Sequence, residues 1–156
     1  EAAGFVAIDS APLKRKYYST WEVKALRHTK GMYQFVPWSW LKALGSWGVA
    51  TTAQGKAGMR SFIESYTKEE YVELAAHGYK MLADAVESRR AYNIDCPALL
   101  LCGEKDNAGD VKVFNRKWAA GEKIPLVWIP GAGHNSNVDN PSFVNSKIGQ
   151  LMVALK

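Results

Sequence analysis

The sequence predicts an α/β fold, a three-stranded parallel sheet with a helical insertion and flanking helices. Three observations predict it. Residues 4–8, 97–101 and 124–129 are apolar on successive positions and not on alternate ones, the pattern of strands buried on both faces. Between the first and second runs lies a long segment with no comparable strand. The second and third runs are separated by one amphipathic stretch and followed by another, the spacing of strands joined by crossover helices.

The first strand, 4–8, is closed by the turn chemistry of Asp9-Ser10-Ala11-Pro12. From Leu13 to about Arg90 the chain reads as helical, interrupted by the breakers Gly31, Pro37, Gly45, Gly48, Gly55 and Gly58. The clearest helix opens at Thr67-Lys68-Glu69-Glu70, a capping box in which hydroxyl and carboxylate satisfy free amide donors. Tyr71, Leu74, Ala75, Gly78, Met81, Leu82, Ala85 and Val86 recur at helical spacing, leaving Lys68, Glu69, Lys80, Glu87 and Arg90 for solvent. After Asn93-Ile94-Asp95 comes the strand around 98–101. The next helix runs from Asp110, a suitable N-cap, through Val111, Phe114, Trp118 and Ala119, with Gly121 as its stop. The strand 124–129 follows. Asn140-Pro141 opens a final helix that buries Phe143, Val144, Ile148, Leu151, Met152 and Leu155.

With 156 residues, 47% of them apolar, the chain supports one packed core. It starts at Glu1 and runs at once into a strand, so it is expected to be a piece of something longer. No apolar stretch approaches the roughly 18–20 residues of a membrane span. A soluble, cytoplasmic protein is therefore expected, with no membrane partner. Cys96 and Cys102 lie six apart along one extended segment, on the order of 20 Å and too far to bridge; that fits a reducing compartment. The net charge of +5 is concentrated early: residues 1–60 carry +6 and residues 61–156 carry −1. Lys14-Arg15-Lys16 has the charge to meet phosphate, but no nucleic-acid signature accompanies it and a solvated loop accounts for it. No nucleic-acid partner is expected.

Chemistry concentrates where the second and third strands end. One spills into Cys102-Gly103-Glu104-Lys105-Asp106, the other into Pro130-Gly131-Ala132-Gly133-His134. An acid and a histidine delivered by successive strands are two members of a nucleophile, base and acid relay. Asp110 and Asp9 are the other acids the fold offers to the same base. Glycines at 131 and 133 allow the sharp turn that stands the imidazole over the strand ends. His28 and His77 have no partners at metal-ligand spacing, and no metal is expected. A further feature is the aromatic stretch from Met32 to Leu41, containing Trp38 and Trp40, with Trp47 beyond. Two uses fit it: the wall of an apolar substrate pocket, or a packed helix pair or subunit interface.

The run Phe5-Val6-Ala7-Ile8-Asp9-Ser10-Ala11-Pro12, then Leu99-Leu100-Leu101-Cys102-Gly103-Glu104-Lys105-Asp106, then Pro130-Gly131-Ala132-Gly133-His134-Asn135 with Asn140-Pro141 behind it, resembles the C-terminal half of an α/β-hydrolase. The resemblance covers essentially the whole chain. It implies that residues 1–12 and 96–156 belong to the hydrolase core and residues 13–95 to a helical cap. It also implies that Asp106 is the triad acid and His134 the base, that Trp38 and Trp40 face a small apolar or aromatic ester-like substrate, and that no cofactor is needed. The parent activity would be hydrolysis of a carboxylic ester or acyl bond. No Gly-x-Ser-x-Gly elbow occurs in the sequence; the nearest look-alike is Gly45-Ser46-Trp47-Gly48, within the helical region. The chain alone is thus expected to lack the nucleophile. The alternative is a non-catalytic module that associates, as a homo-oligomer for instance, through the cap or the exposed first strand.

Overall fold

The computed structural model describes residues 2–155. Its three strands are β1 (Phe5–Ile8), β2 (Ala98–Gly103) and β3 (Leu126–Ile129), all parallel and in the order β1-β2-β3. Phe5 lies opposite Ala98 and Ile8 opposite Leu101; Leu100 lies opposite Leu126 and Gly103 opposite Ile129. Their side chains alternate between two cores. On one face Ala7 and Leu100 pack with Tyr17, Tyr18, Val23, Val86, Phe114 and Trp118. On the other, Leu101 and Ile129 pack with Ala132 and Val144, flanked by Val6, Ile8, Leu99 and Ile148. Successive apolar residues are required because both faces are covered. Leu100, Leu101 and Ile129 are wholly buried, which stabilises the fold by about 1.5–3 kcal/mol each.

Between β1 and β2 a 3-10 turn, Arg15–Tyr17, leads into five helices: α1 (Thr20–Arg27), α2 (Thr29–Gln34), α3 (Trp38–Val49), α4 (Ala53–Glu64) and α5 (Lys68–Glu87). Thr67 and Glu70 form the expected capping box at the start of α5. Helix α6 (Val111–Glu122) joins β2 to β3, and α7 (Ser136–Asp139) and α8 (Pro141–Ala154) complete the chain. Asn140 caps α8 through the Phe143 amide at 3.3 Å, ahead of Pro141. Among the described residues no helix is long and apolar enough to cross a membrane.

Several sequence expectations need correction. Of the breakers, Pro37 does precede a helix, but Gly31, Gly45, Gly48, Gly55 and Gly58 lie inside helices. Tertiary packing outweighs their poor propensity; at Gly45 the Ile63 side chain occupies the space of a Cβ. Gly121 likewise sits inside α6, leaving room for the Tyr17 ring. The helix ends instead at Lys123, in the left-handed region at φ 56°, and the third strand starts only at Leu126. Asp110 precedes α6 without a side-chain cap bond. On α5 the buried residues are Val72, Ala83 and Val86, whereas Leu74, Gly78 and Met81 are exposed. Among the described residues α1 and α2 are the helices packed most extensively along α5, and the apolar stripe is wider than that contact. Met152 on α8 is also exposed.

The basic triplet is tied up internally. Lys14 and Lys16 both reach the Glu122 carboxylate, at 2.7 and 2.9 Å, while Arg15 donates to the Tyr18 carbonyl and the Thr20 hydroxyl. Hydrogen bonds from Lys14 and Lys16 hold the Glu122 carboxyl at about 2. His28 and His77 are exposed. Thr67→Ala removes the hydroxyl half of the α5 capping box and is expected to cost about 1 kcal/mol in urea denaturation without altering the unfolding slope.

Candidate active site

Parallel strands bring their C-terminal ends to one edge, and both predicted relay residues follow those ends. Asp106 comes three residues after Gly103, the last residue of β2; His134 comes five after Ile129, the last of β3. The two loops are joined by backbone. Glu104 donates its amide to Ile129 at 3.1 Å, Lys105 donates to Ala132 at 2.8 Å, and the Glu104 carboxylate accepts from the Gly131 amide at 3.0 Å. Gly103 is required where they meet. A Cβ on it would lie 2.1 Å from the Gly133 carbonyl oxygen and 2.5 Å from that of Ala132.

That arrangement places His134 Nδ1 3.0 Å from Asp106 Oδ2. Asp106 is 1% exposed, and its second oxygen accepts from the Ala108 amide at 2.8 Å. The carboxylate accepts from Nδ1–H, so the tautomer is fixed and Nε2 is the nitrogen left to take a proton. The hydrogen bond that His134 donates to Asp106 raises the His134 pKa above 6.5, against desolvation, which lowers it. Gly131 supplies the turn at φ 71°. Gly133 has a different reason to be glycine: it lies against the Val49 carbonyl, where a Cβ would come within 3.0 Å.

Asp9 and Asp110, the other candidate acids, do not bond the imidazole. Asp9 is buried and left-handed at φ 46°. Its two oxygens accept from the amides of Gly103 at 2.8 Å and Ser136 at 2.9 Å, so it pins the end of β1 to both loops. Burial raises its carboxyl above the usual aspartate range, and hydrogen bonds from Ser136 and Gly103 draw it part of the way back. Asp110 is exposed at the start of α6. Asp9, Cys102 and Asp106 place donor atoms within 4.8 Å of one another, but the carboxylate oxygens are already engaged by amides and by His134. Burial pushes the Cys102 thiol up to about 12, leaving no thiolate nucleophile at neutral pH. Ser46, the centre of the elbow look-alike, is buried in α3 and donates to the Lys42 and Ala43 carbonyls at 2.8 and 3.1 Å.

The same arrangement of strands and helices recurs in solved structures. A thermophilic esterase from Thermogutta terrifontis, with malate bound, matches at a TM-score of 0.58 and 17% identity, over 98% of this chain and 56% of that one. MGS-M2, an α/β hydrolase enzyme from a Medee basin deep-sea metagenome library, matches at 0.50 and 16%, over 94% and 55%. An α/β hydrolase fold protein from Burkholderia ambifaria matches at 0.52 and 17%, over 93% and 54%. The fold is that of the α/β-hydrolases. No protein-family model and no curated protein matches the chain. The chain spans a little over half the length of each of these hydrolase-fold structures.

Within the α/β-hydrolase fold the two tryptophans expected at a substrate wall take different positions. Trp38 is half-buried, its ring 5.7 Å from that of Tyr71 with the Lys42 ammonium over it. Trp40 is 65% exposed and shares a helical face with Leu44 and Trp47, also exposed. Asp139 was missed by sequence reasoning. It accepts from Gly133, Thr51 and Thr52, but an acid just before Asn140-Pro141 reads as ordinary helix-start chemistry. Gly103→Ala is expected to destabilise the protein by about 3 kcal/mol or more in urea denaturation, because backbone on the opposing loop must move. An NMR titration of His134 is expected to give a pKa above 6.5, with Asp106→Asn lowering it. The pair's contribution to stability is then full below about pH 6.5 and lost as pH rises through the raised value, so the stability gap between wild type and Asp106→Asn narrows toward alkaline pH.

Proposed function

We propose that this chain is the C-terminal part of a serine-type α/β-hydrolase that cleaves a carboxylic ester or related acyl bond. The observation that carries the reading is the 3.0 Å bond between His134 and a buried Asp106, on a fold shared with an esterase. In the proposed mechanism Asp106 orients His134 and stabilises the imidazolium. His134 Nε2 takes the proton of the attacking hydroxyl and returns it to the leaving group. Residues outside these 156 supply the serine and the oxyanion donors. No organic cofactor or metal enters the scheme.

The place for those residues is supported by the free edge of β1. An apolar trough of about 900 Å³ there is lined by Phe5, Val6, Ala7, Ile8 and Trp118, and an unpaired edge strand takes up another strand readily. In this reading residues 1–12 and 96–156 are core and residues 13–95 form the cap. Trp40, Leu44 and Trp47 recur at i, i+4 and i+7 on the exposed face of α3, whose last residue Val49 accepts from the Asn135 amide at 2.8 Å. That stripe leads from the histidine loop. It suits the small apolar or aromatic acyl part of a substrate, with Trp38 bracing its outer end against Tyr71.

The purified 156-residue chain is expected to hydrolyse p-nitrophenyl acetate no faster than its His134→Ala variant. Joined to the strands and elbow that precede it, the enzyme is expected to turn over and to lose about 10⁴-fold in kcat/KM on His134→Ala. Turnover by the isolated chain that disappears with His134→Ala, or a joined enzyme indifferent to that change, overturns the reading.

A further inference from the structure

We propose that Asp139 is a positioning residue that locks the loop bearing His134 to the junction between α3 and α4, so that the helical insertion and the base move as one body. Asp139 closes α7, five residues after His134. One carboxylate oxygen accepts from the Thr51 amide at 2.8 Å and the Gly133 amide at 2.9 Å. The other accepts from the Thr52 amide at 3.0 Å and the Thr52 hydroxyl at 2.7 Å. Four donors from two segments more than 80 residues apart converge on one side chain.

Two further bonds run beside it. The Asn135 amide donates to the Val49 carbonyl at 2.8 Å, and the Thr51 hydroxyl donates to the Gly131 carbonyl at 2.8 Å. The amides on both sides of His134, at 133 and 135, are therefore committed to the α3–α4 junction, one through Asp139 and one through Val49. The packing leaves no slack: a Cβ on Gly55 would lie 2.7 Å from Asp139 Oδ1, and Gly133 already abuts Val49. Burial alone would raise the Asp139 carboxyl, but the donors from Thr52, Gly133 and Thr51 outweigh it and hold it at about 2. From the opposite side Asp9 holds the Ser136 amide. The insertion thus holds the histidine loop on both sides of His134 and the end of β1 holds it at Ser136, and the 3.0 Å contact with Asp106 depends on both.

The catalytic meaning of this tether rests on the relay reading above, but its test does not use turnover. In the 156-residue chain, the His134 imidazole is followed by NMR through a pH titration, alongside amide exchange at Gly133, Thr51 and Asn135. Asp139→Ala is expected to lower the proton affinity of His134 by about fivefold as its bond to Asp106 loosens, and to raise exchange at Gly133 and Thr51 together by about tenfold or more, with His28 and His77 unmoved. Asp139→Asn keeps the volume while replacing one acceptor oxygen by a donor. It is expected to shift His134 in the same direction, and it stands in if Asp139→Ala does not fold. A folded variant whose His134 titration matches wild type overturns the proposal. A shift here without turnover in the joined enzyme leaves the tether standing and removes its catalytic meaning; turnover there with no shift here removes the tether alone.

Discussion

At the end of β2 the backbone comes so close to the loop after β3 that only a hydrogen fits on the α-carbon of Gly103. The carbonyls of Ala132 and Gly133 fill the space where a side chain would stand. This contact sets the spacing between the two loops. With it in place, Asp106 turns inward three residues later and His134 lies within hydrogen-bonding reach. The backbone bonds from Glu104 and Lys105 and the Asp9 carboxylate on the Gly103 amide hold the contact from both sides. Asp106 and His134 are thus positioned mainly by main-chain contacts, and the side-chain bond joins them across the gap.

Burying two aspartates so near one another is costly unless amides or a cation face them. Here each has its own partners. Asp9 takes two amides, and Asp106 takes the Ala108 amide and His134. Asp9 faces only neutral donors, which offset its burial in part, and burial leaves its carboxyl raised. The division gives one carboxylate to the scaffold and one to His134. It also explains why the acid at the end of β1, attractive on paper as a relay member, is occupied elsewhere.

Much of this was legible in the sequence. Three non-alternating apolar runs predicted three strands covered on both faces, and the polar residues just past two of them are the ones brought together. What the sequence concealed follows from contacts between distant segments. Gly45 and Gly55 read as breaks because local propensity carries no record of Ile63 and Asp139 packed against them. The end of α6 was misplaced by two residues because Lys123, not a glycine, takes the left-handed turn. Asp139 was invisible for the same reason: its donors lie at Thr51 and Thr52, and nothing local to residue 139 announces them.

The two connections of the sheet are unequal in length. Roughly 20 residues link β2 to β3, whereas roughly 90 separate β1 from β2, and closing the longer loop costs about 1 kcal/mol more in chain entropy. The unit that holds Asp106 and His134 is the local one, spanning the shorter connection. The first strand, with Asp9 at its tip, pairs only by closing the longer loop.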